Sequence, residues 1–329
     1  MKTEPLVTVL MSVFNGEKYL REAIDSILTQ TFSDFEFLII NDASTDRSRE
    51  IILSYLDPRI RLIDNEENIG LTRSLNKGID LAKGKYIARM DADDVSMPER
   101  LEKQVRFMEE NRDIAVLGSW AYGIDGTGRI NAEFRTPICE EIIFKDLFFS
   151  NPLIHGSVMF DKKFVRIIGG YNPSFIRTQD YELWIRVAAN CGRIVNIPLF
   201  LLKYRNHPEN VSNLQGDQQE ALAQLVVQNA YKLLLNKKIS LKAIKLIRQF
   251  LLRGKTNFGF HEKIILLMLL RSLNNGIHQK YDDTSDIVKV VEKQINYISR
   301  TIFKKNWFSM IFSRFARHLS RDKITNKDL

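Results

Sequence analysis

Cysteine is scarce in this chain, with two residues in 329. Cys139 and Cys191 have no Cys-x-x-Cys spacing, so neither a zinc cluster nor a redox pair is encoded, and no disulfide framework is expected. Long apolar runs are also missing. The longest, Ile264 to Leu270, falls far short of the roughly 20 residues that a membrane-spanning helix needs. The opening Met-Lys-Thr-Glu-Pro leads straight into a strand pattern without a charged stretch, apolar core and cleavage site. A secretory signal is therefore not expected, and a reducing, cytoplasmic setting is. Glycine is sparse where phosphate-binding loops need it. The first strand runs into Asn15-Gly16-Glu17, with no Gly-x-Gly-x-x-Gly, which argues against a nicotinamide dehydrogenase. A nucleotidylyltransferase would need a glycine-rich basic loop at the same place, and that is absent too.

The chain has both signs of charge, but unevenly. Residues 1–210 hold 27 Lys and Arg against 31 Asp and Glu, a balance of −4, so the remainder carries +12 of the total +8. Such asymmetry points the C-terminal part toward an anionic partner. No nucleic-acid recognition module is visible, so a membrane surface is expected rather than nucleic acid.

The first 120 residues alternate buried-strand runs with helix-period segments. Strands are expected over Val7 to Phe14, Phe35 to Ile40, Ile60 to Ile63, Tyr86 to Met90 and Ile114 to Leu117. Between them, Tyr19, Leu20, Ala23, Ile24, Ile27 and Leu28 recur at helical spacing. Segments 46–55, 71–82 and 98–110 also read as helices. This alternation predicts an α/β fold with a mostly parallel sheet flanked by helices. Later, Val158 to Phe160 reads as a strand and Asp180 to Ala189 as a helix. Beyond about residue 215 only helical segments remain. The expected division is a catalytic domain over 1–214, with halves at about 1–120 and 121–214, followed by a basic helical region over 215–329.

In parallel sheets ligands bind at the carboxyl ends of strands. That rule brings Phe14-Asn15-Gly16, Asn41-Asp42 and Met90-Asp91-Ala92-Asp93-Asp94 together. Alternating carboxylates directly after a strand can hold a hard divalent cation, which would neutralise charge on a departing diphosphate. An acidic turn leading into the helix at Pro98 is the plainer alternative. Asp42 can accept a hydrogen bond from the N3–H of a pyrimidine base. Ser44 and Asp46 read as helix caps.

The motifs Thr8 to Asn15, Ser26 to Phe32, Asn41 to Asp46, Asn68-Ile69-Gly70, Met90 to Asp94 and Gln179 to Trp184 resemble, in order, those of glycosyltransferase family 2. The resemblance covers about residues 5–213. It implies a GT-A-like fold with a C-terminal helical extension and an inverting transfer from a nucleotide-diphosphate sugar, with a UDP-sugar favoured. It places Ser12, Phe14, Asp42, Asn68, Arg73 and Asp91 on the nucleotide-sugar. Asp93 would ligate Mg²⁺ or Mn²⁺, and Asp180 would be the catalytic base. Gln179 stands where the family often has Glu, so no second carboxylate supports that base. Tyr204-Arg205-Asn206-His207 resembles a late family motif, with Arg205 on phosphate and His207 on metal or phosphate. His155 reads as a buried, hydrogen-bonded residue, and Trp120 and Trp184 as core. The alternative function is a non-catalytic nucleotide-sugar-binding protein associated with a membrane.

The acceptor expected from the resemblance is a glycan or lipid-linked hydroxyl. Trp307, Phe308, Ile311, Phe312, Phe315 and Leu319 recur at helical spacing, with Lys304, Lys305, Arg314, Arg317 and Arg321 around them. Such a basic amphipathic segment over 303–321 suits an anionic bilayer interface, placing the protein at the inner face of the cytoplasmic membrane.

Overall fold

A computed structural model describes residues 4–207, 216–253, 258–280 and 285–302. The chain forms two compact units. One comprises Met1–Ile143 with Asn151–Leu222, and the other comprises Phe144–Ser150 with Ala223–Leu329.

The first unit opens with β1 (Val7–Val13), α1 (Glu17–Leu28), β2 (Phe35–Asn41), α2 (Ser48–Leu53), β3 (Ile60–Asp64), α3 (Leu71–Leu81) and β4 (Tyr86–Met90). These β/α repeats make four adjacent parallel strands in the order β3-β2-β1-β4. Helix α1 explains why the repeat closes. Its Leu20, Ala23, Ile24 and Ile27 are buried together and pack with Val7, Val9, Met11 and Val13 of β1. Each large aliphatic side chain buried there contributes roughly 1.5–3 kcal/mol. The opposite face of β1 meets α3, whose Gly78 lies so near Leu10 that a Cβ would come within 2.2 Å of the leucine Cδ1. Because β1 sits between β2 and β4, the strand order reverses there, and the crevice outside the carboxyl ends opens at that point.

The sheet then becomes mixed. Short β5 (Val95–Ser96) precedes α4 (Arg100–Glu110), β6 (Ile114–Ile124), β7 (Ile130–Phe134) and α5 (Glu140–Asp146). A 3₁₀ turn at His155–Ser157 leads into β8 (Met159–Asp161), α6 (Lys162–Ile167), α7 (Gln179–Ala189) and β9 (Arg193–Arg205). The main path is β3-β2-β1-β4-β8-β6-β9-β5, with β7 on β6. Strand β8 pairs antiparallel with both β4 and β6, whereas β9 runs parallel to β6.

The second unit is helical, with α8 (Gly216–Leu235), α9 (Leu241–Arg253), α10 (Phe260–Lys280) and α11 (Asp286–Ile302). The division into units falls after Leu222. Residues 144–150 also belong to the helical unit. The reason is aromatic: Phe148 is fully buried with its ring centroid 5.2 Å from that of Tyr231, and the Phe149 carbonyl accepts from Arg248. No described helix is long and apolar enough to cross a membrane. The stripe Trp307 to Leu319, within the 303–321 segment, lies outside the described residues.

Candidate active site

Parallel register delivers the strand ends to one place. Val13 pairs with Asn41, and Met11 with Met90, so the segments after β1, β2 and β4 leave the sheet side by side. The first two of these loops clasp each other. Asn15 and Ala43 both adopt positive φ (51° and 57°), and the Asn15 Oδ1 accepts from the Thr45 N–H at 2.8 Å. The expected cap Asp46 works across the gap: its carboxylate accepts from the Glu17 N–H at the start of α1, as well as from the Ser48 N–H. Ser44 likewise accepts from the Asn15 N–H.

Asp42 is buried at the end of β2. Its Oδ1 accepts from the Asn65 side chain (2.7 Å) and the Ile69 N–H (3.0 Å), and its Oδ2 from the Gly70 N–H (2.9 Å). Gly70 has a φ of 84°, a backbone that favours glycine, so this loop is shaped to wrap the carboxylate. Asp42 therefore holds the 65–70 loop and keeps acceptor capacity on Oδ2. Phe14, Asn68 and Arg73 are exposed near these ends, and Ser12 is half-buried in β1.

Asp91, Asp93 and Asp94 gather after β4, each offering an oxygen within 4.8 Å of the others. Asp91 and Asp93 are half-exposed, whereas Asp94 is buried. Burial, reinforced by the neighbouring Asp93 charge, pushes the Asp94 carboxyl up to about 8. Its Oδ1 accepts from the Arg205 N–H at 2.9 Å, and its buried Oδ2 has no hydrogen-bond partner. Gly156 makes room for this group. A Cβ there would stand 2.6 Å from Asp94 Oδ2 and 3.3 Å from Asp91 Oδ2. His207 at the end of β9 places Nε2 at 3.0 Å from Asp93 Oδ2. Three carboxylates, one of them with an orphaned buried oxygen, and an imidazole suit a hard or borderline divalent cation.

Arg205, expected on phosphate, is engaged within the protein. Its side chain is 1% exposed, and its guanidinium donates to the backbone carbonyls of Asp93 and Asp125 and to the Glu22 carboxylate.

Asp180 lies in the first turn of α7, its Oδ2 accepting from Asn151 Nδ2 at 2.7 Å. Burial raises its carboxyl above the ordinary value, against lowering by the Tyr181 N–H, Asn151 and Arg89. His155 has its Nε2 2.8 Å from the Tyr171 hydroxyl and its ring close to Trp184, and burial holds it well below the ordinary imidazole value. Trp184 is core, but Trp120 is only half-buried, its Nε1–H donating to the Thr136 carbonyl and Arg135 lying over its ring.

One residue of the site was not legible in the sequence. Arg89, 3% exposed on β4, is ion-paired with Asp91 and also feels the charges of Asp94, Asp93 and Asp180. Its guanidinium is thus shared electrostatically by the acidic cluster and the carboxylate on α7. Only the alternation of β4, which puts Arg89 and Asp91 on one face, could have signalled it. Arg100 supports the same strand: its buried guanidinium donates to the Arg89 carbonyl at 2.7 Å, and burial lowers it to about 9.

Comparison with known proteins agrees with this architecture. A family model described as glycosyl transferase family 2 matches residues 8–166. An uncharacterized glycosyltransferase of Methanocaldococcus jannaschii is 46% identical over 210 residues, covering 61% of this chain and 71% of its own. The O-antigen biosynthesis glycosyltransferase WbnJ of Escherichia coli is 38% identical over 208 residues, covering 61% of this chain and 80% of its own. Among solved structures, S. aureus TarS 1–349 in complex with UDP-GlcNAc superposes with a TM-score of 0.59 at 17% identity, covering 90% of this chain and 88% of that one. The mannosyltransferase PcManGT from Pyrobaculum calidifontis, in complex with GDP-Man and Mn²⁺, gives 0.53 at 14% identity, covering 93% and 88%. The fold is GT-A, and with relatives this similar over most of their length the chain belongs to glycosyltransferase family 2.

Proposed function

We propose that this glycosyltransferase moves a sugar from a nucleoside-diphosphate donor, UDP-linked by preference, to an acceptor hydroxyl with inversion at the transferred carbon. The observation that carries the reading is the carboxylate cluster Asp91–Asp93–Asp94 with His207 Nε2 at 3.0 Å from Asp93, set directly after a strand end and paired through Asp91 with the buried Arg89. Asp42, Ser12, Phe14, Asn68 and Arg73 would receive the nucleoside and phosphates. Asp91 would meet the ribose. Asp93 and His207 would hold Mg²⁺ or Mn²⁺, which when bound would neutralise charge on the departing diphosphate.

Asp180 would take the proton of the acceptor hydroxyl. A carboxylate raised by burial is a better base than an exposed one, and Asn151 fixes its direction. Asp42 would accept from the nucleobase N3–H with the lone pair that its loop contacts leave on Oδ2. The acceptor is proposed to be a glycan or lipid-linked chain, by the O-antigen relative and the +12 balance of residues 211–329. Peripheral attachment to an anionic membrane through 303–321 belongs to the same reading. Calorimetric titration of UDP, GDP and uridine, with and without Mn²⁺, tests it. Tight UDP binding that strengthens with Mn²⁺ is expected. No binding of any nucleoside diphosphate would refute the proposal, and preference for GDP would replace the uridine assignment.

A further inference from the structure

We infer that Arg205 is a positioning residue, which sets the geometry of the Asp93–His207 pair and does not touch the donor phosphates. The inference rests on the metal-assisted reading above and deepens it. Arg205 ties together three separate parts of the first unit. Its backbone N–H donates to Asp94 Oδ1, and its Nε donates to the Asp93 carbonyl at 2.7 Å. Nη1 donates to the Asp125 carbonyl at 3.1 Å, and Nη2 to the Glu22 carboxylate on α1. The guanidinium also lies over the Tyr19 ring, 4.5 Å from its centroid.

Two residues further along, the His207 ring packs 5.1 Å from that same Tyr19 ring while its Nε2 meets Asp93 Oδ2. Arg205 thus fixes the main chain of Asp93 from one side and carries His207 into place from the other. A planar guanidinium can serve these divergent acceptors at once, because its five N–H donors form a rigid fork. A lysine ammonium keeps the charge but cannot span them. The guanidinium itself is closed to solvent: the Glu22 side chain at the rim is 53% exposed, against 1% for Arg205. A buried arginine with an acceptor on each of its three nitrogens is poorly placed to meet a diphosphate arriving from solvent.

The test is calorimetric titration of the full-length protein and of Arg205→Lys, Arg205→Gln and Glu22→Ala with Mn²⁺ at saturating UDP, and with UDP and uridine in chelator. Groups that orient metal ligands typically change metal affinity by about 10–100-fold when removed. Both Arg205 variants are expected to lose Mn²⁺ affinity by about that factor, and Glu22→Ala by less. The preference for UDP over uridine without metal should be retained in all of them. Unchanged Mn²⁺ affinity in the Arg205 variants would overturn the inference. So would a lost preference for UDP over uridine in chelator, which would make Arg205 a phosphate ligand. If the arginine variants do not fold, Glu22→Ala decides, and wild-type Mn²⁺ affinity there overturns the inference. Should the wild-type protein itself bind no Mn²⁺ with UDP, the metal-assisted reading falls first and this inference with it.

Discussion

Replacing Asp180 by asparagine separates chemistry from structure in a single side chain. The carboxylate accepts from Asn151 Nδ2 at 2.7 Å through Oδ2, and an asparagine turned with its oxygen to that place keeps this contact. What disappears is the capacity to take a proton. General-base assistance is worth about 10²–10⁴ in rate, which at about 1.36 kcal/mol per tenfold corresponds to roughly 2.7–5.4 kcal/mol of barrier. Turnover should fall by that factor while UDP affinity stays as it was.

The stability of the same variant should move the other way. Because burial raises the Asp180 carboxyl in the folded state, the native protein holds its proton more tightly than the unfolded chain does. Stability is then lost as pH rises from the unfolded carboxylate value, about 3.9, through the raised native value. At neutral pH the charge on this half-buried group costs free energy, and asparagine removes that cost. The variant should therefore melt at the same temperature as wild type or higher. Its pH–rate profile should also lose the acidic limb, on which wild-type turnover drops as Asp180 becomes protonated. Turnover, UDP affinity and melting temperature, measured on one preparation, give the answer. A less stable variant with normal turnover would refute the reasoning and make Asp180 a helix-start residue, for which about 0.5–2 kcal/mol of lost stability is typical.

Further outcomes follow from the same geometry. Asp93→Ala, at a half-exposed position, should nearly abolish transfer and Mn²⁺ binding with an unchanged circular dichroism spectrum; wild-type activity in chelator would remove the metal. Asp42→Ala should weaken UDP binding by about 1.5–3 kcal/mol, the range for hydrogen bonds to a charged group, and should also loosen the 65–70 loop; unchanged affinity by calorimetry would leave Asp42 a purely structural part. Gly156→Ala forces a methyl group within 2.6 Å of Asp94 Oδ2, so thermal unfolding should show about 1–3 kcal/mol of destabilisation, as for other overpacked sites. Deleting residues from 303 onward should reduce binding to phosphatidylglycerol vesicles, and the full-length binding should weaken with salt, because exposed charges are screened within about 8–10 Å; equal binding by both proteins would discard the membrane role.

Periodicity determined the first half of this fold. Strands β1, β2 and β4 are buried throughout and mostly apolar, the half-buried edge strand β3 keeps a short apolar run, and α1 and α3 have single apolar stripes, so spacing alone located them. The same logic placed Asp42 and the Asp91–Asp94 run at strand ends, and the motif order gave the family. Strand β9 was not legible, since Pro198 and Leu199 bulge out between Ile197 and Phe200 and break its alternation. Short β5 and exposed β7 have too little buried pattern to register at all.

Only the tertiary structure decided where the charged side chains point. Arg89 is an ordinary strand residue in sequence, but in the fold it is buried and ion-paired with Asp91 of the acidic cluster. Arg205 sits in a motif that suggests phosphate, yet its acceptors come from residues 22, 93 and 125, which are far apart along the chain. Periodicity reports which face of an element is apolar. The partner of a buried charge is set by contacts between distant segments, and these exist only once the sheet has closed.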